Sequence, residues 1–456
     1  MHKKQSADSL LEGSITAGII RYALPLIGSS LVQQLYTTVD LIFAGQFIGK
    51  EATAAIGATS LIITCMIVFF NGLATGCSIL TAQYYGAKQW NGIDTIMTVM
   101  SRFSIAGGMV LMILGLFCTP VFLTWVNTPD EIMVHACTYL QIYMLSMIPI
   151  IAYNVCSGIV RAMGDTKKPM IVQMIGSILN LFGNYVFVFL LQMKIAGVAW
   201  ATFLSQTFSA AAIMVIMMKT KRKVRIQRKQ PEAENRLGGW KVFSNILRIG
   251  IPIGLQSMSI TFSNILIQLQ INGLGVDSVA AFTCYFRVEM IVYLPVLALS
   301  QTMATYVGQN YGAGNYKRMK KGAAVCLAGG IILTVVIAAI VICFKSSILR
   351  IFTNDQDVIS ISGQIIFIAF ISYFLYSIIE SLSSFLRGIG DSFSPMVVTI
   401  TCFCVIKVLA LFYFAEKYRS APGMALCYPV SWTIAVIILI IILIVRYRHG
   451  KKAFLY

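Results

Sequence analysis

Long apolar runs, separated by short polar segments, occupy almost the whole chain. No charged residue occurs between Gly322 and Phe344, and Ser431 and Thr433 are the only strongly polar residues between Met424 and Val445. A transmembrane helix needs about 20 mostly apolar residues, because the hydrocarbon core of a bilayer is about 30 Å thick. The sequence meets this requirement twelve times, and the predicted spans are 17–43, 53–76, 93–118, 134–160, 170–192, 196–218, 242–270, 279–305, 322–344, 358–386, 396–415 and 423–446.

Similar short motifs recur in the two halves of the chain. The matching pairs, 226 or 227 residues apart, are 82–87 with 308–313, 161–170 with 387–396, Gly197 with Gly423, and Arg21 and Pro25 with Arg248 and Pro252. With six spans each, both halves start on the same side of the membrane, so they form a parallel internal repeat. The predicted fold is an all-α integral membrane protein with twelve transmembrane helices in two six-helix bundles.

A polar segment near the middle of the chain separates the two halves. The stretch from Lys219 to Trp240 is the only long polar stretch in the interior of the sequence. We therefore predict an amino-terminal six-helix lobe at 1–218, a basic cytoplasmic linker at 219–241 and a carboxy-terminal six-helix lobe at 242–456.

The distribution of basic residues predicts the orientation of the chain. Only 11% of the residues are charged, far below the roughly 25% of soluble domains, yet the net charge is +18. With a cytoplasmic amino terminus, 27 of the 35 Lys and Arg residues fall on the inner side, six fall outside and two fall within spans. This bias follows the positive-inside rule. We expect a multi-pass protein of the plasma membrane with both termini in the cytoplasm, a monomer in the lipid bilayer, without a nucleic-acid partner.

The sequence contains no recognisable motif for catalysis or metal binding. The three His residues are scattered, no G-x-S-x-G or phosphate-binding loop occurs, and only Cys402 and Cys404 form a close pair among the eleven Cys residues. A C-x-C pair without a neighbouring His or carboxylate is poor spacing for a metal. We expect no enzyme, no cofactor and no metal site.

Ionisable residues within spans are candidates for function, because a charge in hydrocarbon is expensive. Asp40 is the strongest candidate, since the amino-terminal half has no basic residue at comparable depth. A buried carboxyl group can exchange a proton, hold Na⁺ or attract a cationic substrate, or it can be a protonated acid with a structural hydrogen bond. Gln34 and Tyr36 add polar groups to the same span, which must therefore meet protein or a water-filled cavity. We expect Gln34, Tyr36 and Asp40 to contact a small-molecule substrate.

Two further spans of the first half supply uncharged oxygen atoms. Asn180 and Asn184 lie one turn apart on the fifth span, and Thr202 lies on the sixth. Amide and hydroxyl oxygens suit Na⁺, but they suit hydrogen bonds between helices equally well. The spacing alone leaves both roles open.

The second half has two acids and two bases within its spans. Glu380 and Lys407 lie on adjacent spans and are candidates for a buried ion pair, although Glu289 is an alternative partner for Lys407. Arg287 and Glu289 are two residues apart and point to different faces of one helix. These four residues serve either charge compensation or a second coupling or substrate site.

Several motifs resemble those of the multidrug and toxic compound extrusion (MATE) transporters. The segments that carry the resemblance are 11–15, 24–25, 33–36, 39–40 and 43–45 around the first span, and 83–87, 161–166, 308–313 and 387–392 in the loops. The resemblance implies an antiporter that exports amphipathic, often cationic compounds in exchange for H⁺ or Na⁺ by alternating access of two lobes. It also implies that Asp40, Asn180 and Thr202 form the cation site, with Asn184 where the family often has a second Asp.

Two other classes of protein remain as alternatives. A lipid-linked oligosaccharide flippase of a related superfamily needs a large cavity with cationic groups for pyrophosphate, and Lys407 and Arg287 are the only residues that favour it. An integral membrane enzyme needs polar motifs on its loops, which this sequence does not show.

Overall fold

The computed structural model describes residues 10–126, 128–227 and 238–449. Within these residues the chain consists of helices and short connections, without a strand. The helices of the first half are α1 (Ile15–Phe43), α2 (Lys50–Gly86), α3 (Trp90–Trp125), α4 (Asp130–Leu145), α5 (Met147–Ala162), α6 (Lys167–Asn184) and α7 (Lys194–Gln227), with π-helical segments π1 (Ala44–Ile48) and π2 (Tyr185–Leu190).

The second half has a similar order of helices. They are α8 (Gly239–Asn272), α9 (Val276–Gly312), α10 (Tyr316–Cys343), α11 (Lys345–Leu349), α12 (Gln356–Ile371), α13 (Tyr373–Gly388), α14 (Phe393–Thr399), α15 (Lys407–Tyr418), α16 (Ala421–Ala425) and α17 (Cys427–His449), with a π-helical segment π3 (Ile400–Ile406) between α14 and α15. Ten helical stretches are long and apolar enough to cross a membrane, and two bent helix pairs raise the number to as many as twelve.

The two bent pairs occupy corresponding places in the repeat. α4 and α5 are bent by 43°, and α12 and α13 are bent by 45°. The breaks lie at Ser146 and Ser372, which are 226 residues apart. Pro149, in the first turn of α5, lacks the N–H that would continue the helix across Ser146. At the second break the hydroxyl of Ser372 donates to the carbonyl of Ala369 at 3.0 Å, a bond that favours bending.

The described residues form two compact units, which differ in their bounds from the predicted lobes. The first unit extends to Gly254 and includes Gly312–Gly314, and the second comprises Leu255–Tyr311 and the chain from Asn315 onward. Residues 219–227 of the predicted linker continue α7, and 239–241 begin α8, whereas 228–237 lie outside the described residues. The assignment of this segment as a cytoplasmic linker stays a prediction.

Close packing of α6 against α7 positions the polar residues of the first unit. Gly176 on α6 lies so near Ser209 on α7 that a β-carbon at position 176 would be 2.2 Å from the Ser209 hydroxyl. One turn further along α6, Gly183 approaches Ala201 in the same way, with 3.1 Å between the corresponding β-carbons. Small residues at these positions let two helix backbones approach closely, and this approach brings Asn180 and Asn184 next to Thr202.

Candidate functional site

Four polar side chains from three helices meet in the interior of the first unit. Asp40 on α1 is 6% exposed, and Asn180, Asn184 and Thr202 are fully buried. One carboxylate oxygen of Asp40 accepts a hydrogen bond from the Asn184 amide at 2.7 Å, and the other accepts from the Thr202 hydroxyl at 3.2 Å. The Asn184 amide also donates to the Asn180 carbonyl oxygen at 3.3 Å. The structure thus brings together the four residues that the sequence suggested as a cation site.

The site contains one acid and no basic partner. Among the described residues no Lys, Arg or His forms an ion pair with Asp40. The Oδ1 atom of Asn184 and the Nδ2 atom of Asn180 are buried without a hydrogen-bond partner in this part of the chain. Buried polar groups are normally paired, so an orphaned amide oxygen beside a carboxylate leaves room for a further ligand.

The oxygen atoms of this site suit a small cation. The carboxylate of Asp40, the amide oxygens of Asn180 and Asn184 and the hydroxyl of Thr202 are hard ligands. The Thr202 hydroxyl lies within hydrogen-bond distance of Asp40 and of the Val198 carbonyl, at 3.1 Å, but its single proton serves one acceptor at a time. The arrangement can hold Na⁺ or exchange a proton on Asp40, because an ionised carboxyl in this interior needs a positive charge nearby.

The proposed substrate contacts on α1 are placed less clearly. Gln34 is half-buried and lies six residues before Asp40, so the two side chains are about 120° apart around the helix. Its backbone carbonyl accepts a hydrogen bond from Thr38 at 2.9 Å. The side chain of Tyr36 lies outside the described part of the structure. Tyr143 on α4, which the sequence analysis missed, lies near enough to Asp40 to interact with its charge; only the bend of the fourth span brings it there, and no local pattern marks it.

A cavity of about 560 Å³ begins one turn beyond the four polar residues. Its lining includes Ile48 of π1 and Val188 of π2, which follow Asp40 and Asn184 by eight and four residues. Glu51 and His135 lie at the cavity, with 3.7 Å between the carboxylate and the imidazole. A cavity of this size accommodates a drug-sized molecule.

The acids and bases of the second unit do not pair as the sequence suggested. The carboxylate of Glu380 accepts a hydrogen bond from Ser300 at 3.1 Å and lies 3.8 Å from the guanidinium of Arg387. The expected ion pair of Glu380 with Lys407 is therefore wrong. Arg387 follows Glu380 by two turns on the same helix α13 and reaches it more directly.

Lys407 and Glu289 form a second polar cluster in the second unit. The ammonium of Lys407, which is 2% exposed, donates to the side-chain oxygen of Asn264 at 3.2 Å. Glu289 accepts a hydrogen bond from the Tyr373 hydroxyl at 3.2 Å and interacts electrostatically with Lys407, although the two do not form a direct ion pair. Arg287 is exposed on another face of α9 and does not join this cluster.

The chain is similar to a known family over most of its length. A family model described as MatE matches residues 25–186 and again 252–412. The two matched segments begin 227 residues apart, which agrees with the internal repeat. The duplicated, all-α architecture predicted from the sequence is thus confirmed.

Curated relatives and solved structures agree with the family match. The chain is 26% identical over 401 residues to the probable multidrug resistance protein YpnP of Bacillus subtilis (strain 168), covering 87% of each chain. It is 24% identical over 414 residues to the probable multidrug resistance protein NorM of Thermotoga maritima, covering 88% of this chain and 86% of that protein. A crystal structure of MATE in the bent conformation has the same fold, with a TM-score of 0.89 at 21% identity and full coverage of both chains.

Proposed function

Because the chain belongs to the MatE family of multi-pass membrane transporters, we propose that it is a secondary antiporter. In this proposal the protein exports amphipathic, cationic small molecules, and the inward movement of H⁺ or Na⁺ drives the export. The two repeated halves support alternating access, because transporters with parallel repeats move one bundle against the other.

The observation that carries the proposal is the buried carboxylate of Asp40 with neutral partners only. A basic partner would fix the charge of Asp40 permanently. Asn184 and Thr202 instead donate hydrogen bonds at 2.7 and 3.2 Å, so the net negative charge remains available for a mobile cation. A coupling ion and a cationic substrate would then compete for one group, and such competition links their opposite movements.

The oligosaccharide flippase has less support than the antiporter. Its recognition of pyrophosphate requires basic groups that face a large cavity. Lys407 is 2% exposed and already donates to Asn264, whereas Arg287 is exposed away from the polar cluster. The multidrug relatives also favour transport of drugs, and we propose that the protein works as a monomer without a nucleic-acid partner.

Replacement of the carboxylate tests the proposed function. Asp40→Asn keeps the shape of the side chain but removes the charge, so we expect it to abolish efflux of a fluorescent cationic dye. Efflux is measured in proteoliposomes with an imposed pH gradient or an imposed Na⁺ gradient, and the gradient that drives wild-type efflux identifies the coupling ion.

A matched control and a binding measurement complete this test. Asp130→Asn, at the exposed start of α4, should leave efflux unchanged. Bound dye should be displaced by the coupling ion in the wild-type protein but not in Asp40→Asn. Undiminished efflux by Asp40→Asn, or dye binding that neither ion displaces, would contradict the antiporter mechanism.

A further inference from the structure

The second unit repeats the three helices that build the Asp40 site. α8 corresponds to α1 by the match of Pro252 with Pro25, and α17 corresponds to α7 by the match of Gly423 with Gly197. The stretch from α14 through π3 to α15 corresponds to α6, since α14 begins at Phe393 and α6 at Lys167, 226 residues earlier. The residues that take the place of the four polar side chains can therefore be identified.

A π-helical segment changes the register in the second unit. π2 follows Asn184 in the first unit, but π3 precedes Lys407 in the second. A π-helical turn contains an extra residue, so the counterparts of Asn180 and Asn184 shift from an offset of 226 to one of 227. Burial supports the shift: Lys407 and Leu411 are 2% and 0% exposed, like the two Asn residues, whereas Ile406 is partly exposed.

The counterpart of the cation site therefore contains a lysine and no acid. Lys407 takes the place of Asn180, the apolar Ile267 and Leu411 take those of Asp40 and Asn184, and Tyr428 takes that of Thr202. All four are 3% exposed or less. The carboxylate of the first unit has no equivalent here, and a positive charge lies at the corresponding place.

The surroundings of the Lys407 ammonium resemble those of a bound cation. It donates to the amide oxygen of Asn264 at 3.2 Å and lies 4.7 Å from the ring centre of Tyr428 and 5.6 Å from that of Phe403. Aromatic faces attract cations, the more so when water is excluded. Glu289 on α9, held by the Tyr373 hydroxyl, provides the compensating negative charge without a direct ion pair.

We infer that the ammonium of Lys407 is the permanent occupant of the second unit's counterpart of the cation site. A coupling ion leaves its site in every cycle, but a covalently attached ammonium cannot leave. The second unit therefore takes no exchangeable cation, and a single cation, bound at Asp40, drives the export of each substrate molecule. This inference rests on the proposed antiport.

The coupling ratio measures this directly. Proteoliposomes are clamped at zero membrane potential under the ion gradient that drives the wild-type protein, and the opposing dye gradient that stops net flux is determined. A tenfold ion gradient should balance a tenfold dye gradient in the wild-type protein. In Lys407→Met the balancing dye gradient should rise toward a hundredfold, because Glu289 loses its compensating charge and admits a second cation.

Three variants separate this result from a general perturbation. Lys407→Arg keeps the positive charge, and Arg287→Met changes an exposed base on the helix of Glu289, so both should keep the wild-type ratio. Adding Glu289→Gln to Lys407→Met should restore the ratio to one, since the carboxylate that admits the second cation is gone.

Two outcomes would overturn the inference without affecting the proposed antiport. One is a wild-type ratio of two, and the other is a ratio of one in Lys407→Met. Should Lys407→Met fail to fold, Glu289→Gln in the wild-type background decides the question. It should keep the ratio at one, and a lower ratio would show that Glu289 carries a coupling ion. An absence of any ion-driven flux in the wild-type protein would instead defeat the proposed function itself.

Discussion

At the scale of single residues, the chemistry of the candidate site depends on how each oxygen atom is oriented. The sequence indicated that Asp40, Asn180, Asn184 and Thr202 are polar groups in apolar spans, but it left open whether they bind an ion or each other. In the structure Asp40 accepts hydrogen bonds from neutral donors only. Those donors orient the carboxylate without neutralising it, which favours the binding of a mobile cation.

The contribution of Thr202 can be separated from its packing. Thr202→Val keeps the shape of the side chain but removes an oxygen ligand and a hydrogen bond to Asp40. A hydrogen bond to a charged group contributes about 1.5–3 kcal/mol, so the concentration of coupling ion that gives half-maximal dye efflux should rise about tenfold or more.

Thr207 provides the matched control for that measurement. It lies on the same helix, is exposed and donates to the carbonyl four residues earlier at 2.7 Å, as Thr202 does to Val198. Thr207→Val should therefore keep the wild-type ion dependence. An unchanged half-maximal concentration in Thr202→Val would remove Thr202 from the site.

At the scale of helices, irregular segments decide which residues face the interior. Apolar runs predicted the spans, but not the bends at Ser146 and Ser372 or the π-helical segments. π3 is the most consequential of these, because it rotates the following helix and buries Lys407, whereas Leu181, its counterpart by simple counting, is 47% exposed. A regular α-helix from α14 onward would have placed the ammonium in another direction.

The contact of α6 with α7 allows a test of how helix packing sets the site. In Gly176→Ala the added β-carbon would lie 2.2 Å from the Ser209 hydroxyl, so the helices must separate. Overpacking of this kind costs about 1–3 kcal/mol. We expect lower thermal stability of the purified protein and weaker ion-driven efflux, because Asn180 and Asn184 move away from Thr202.

Ser209→Ala should rescue this defect. It removes the clashing oxygen, and the Ser209 β-carbon is 3.6 Å from the new methyl group, an ordinary contact. The double variant should regain most of the stability and efflux. Equal defects in the single and double variants would show that the close approach of these helices is not what positions the site.

At the scale of the whole molecule, two similar halves carry different charges at corresponding places. The repeat and the family match show that the halves share a common helix order. The first has an unpaired acid at its polar cluster, and the second has a lysine with a distant acid. A duplicated fold therefore does not imply two equivalent ion sites.

The orientation of the molecule in the membrane is open to a direct test. The distribution of basic residues predicts cytoplasmic termini, which places Lys194 outside and Lys223 inside, near opposite ends of α7. A membrane-impermeant maleimide should label Lys194→Cys in intact cells and Lys223→Cys only after permeabilisation. The unsubstituted protein gives the background of the native cysteines, and the reverse pattern would invert the predicted topology.

The sequence by itself determined the helical spans, the repeat and the set of polar residues within the membrane. These features are local or periodic, and the need to bury apolar length in a bilayer makes them legible. Only the tertiary structure decided that Glu380 lies with Arg387, that Asp40 lies with Asn184 and Thr202, and that Lys407 occupies the place of Asn180. These outcomes depend on helix rotation and on contacts between residues more than 100 positions apart, which hydrophobic periodicity along one helix does not encode.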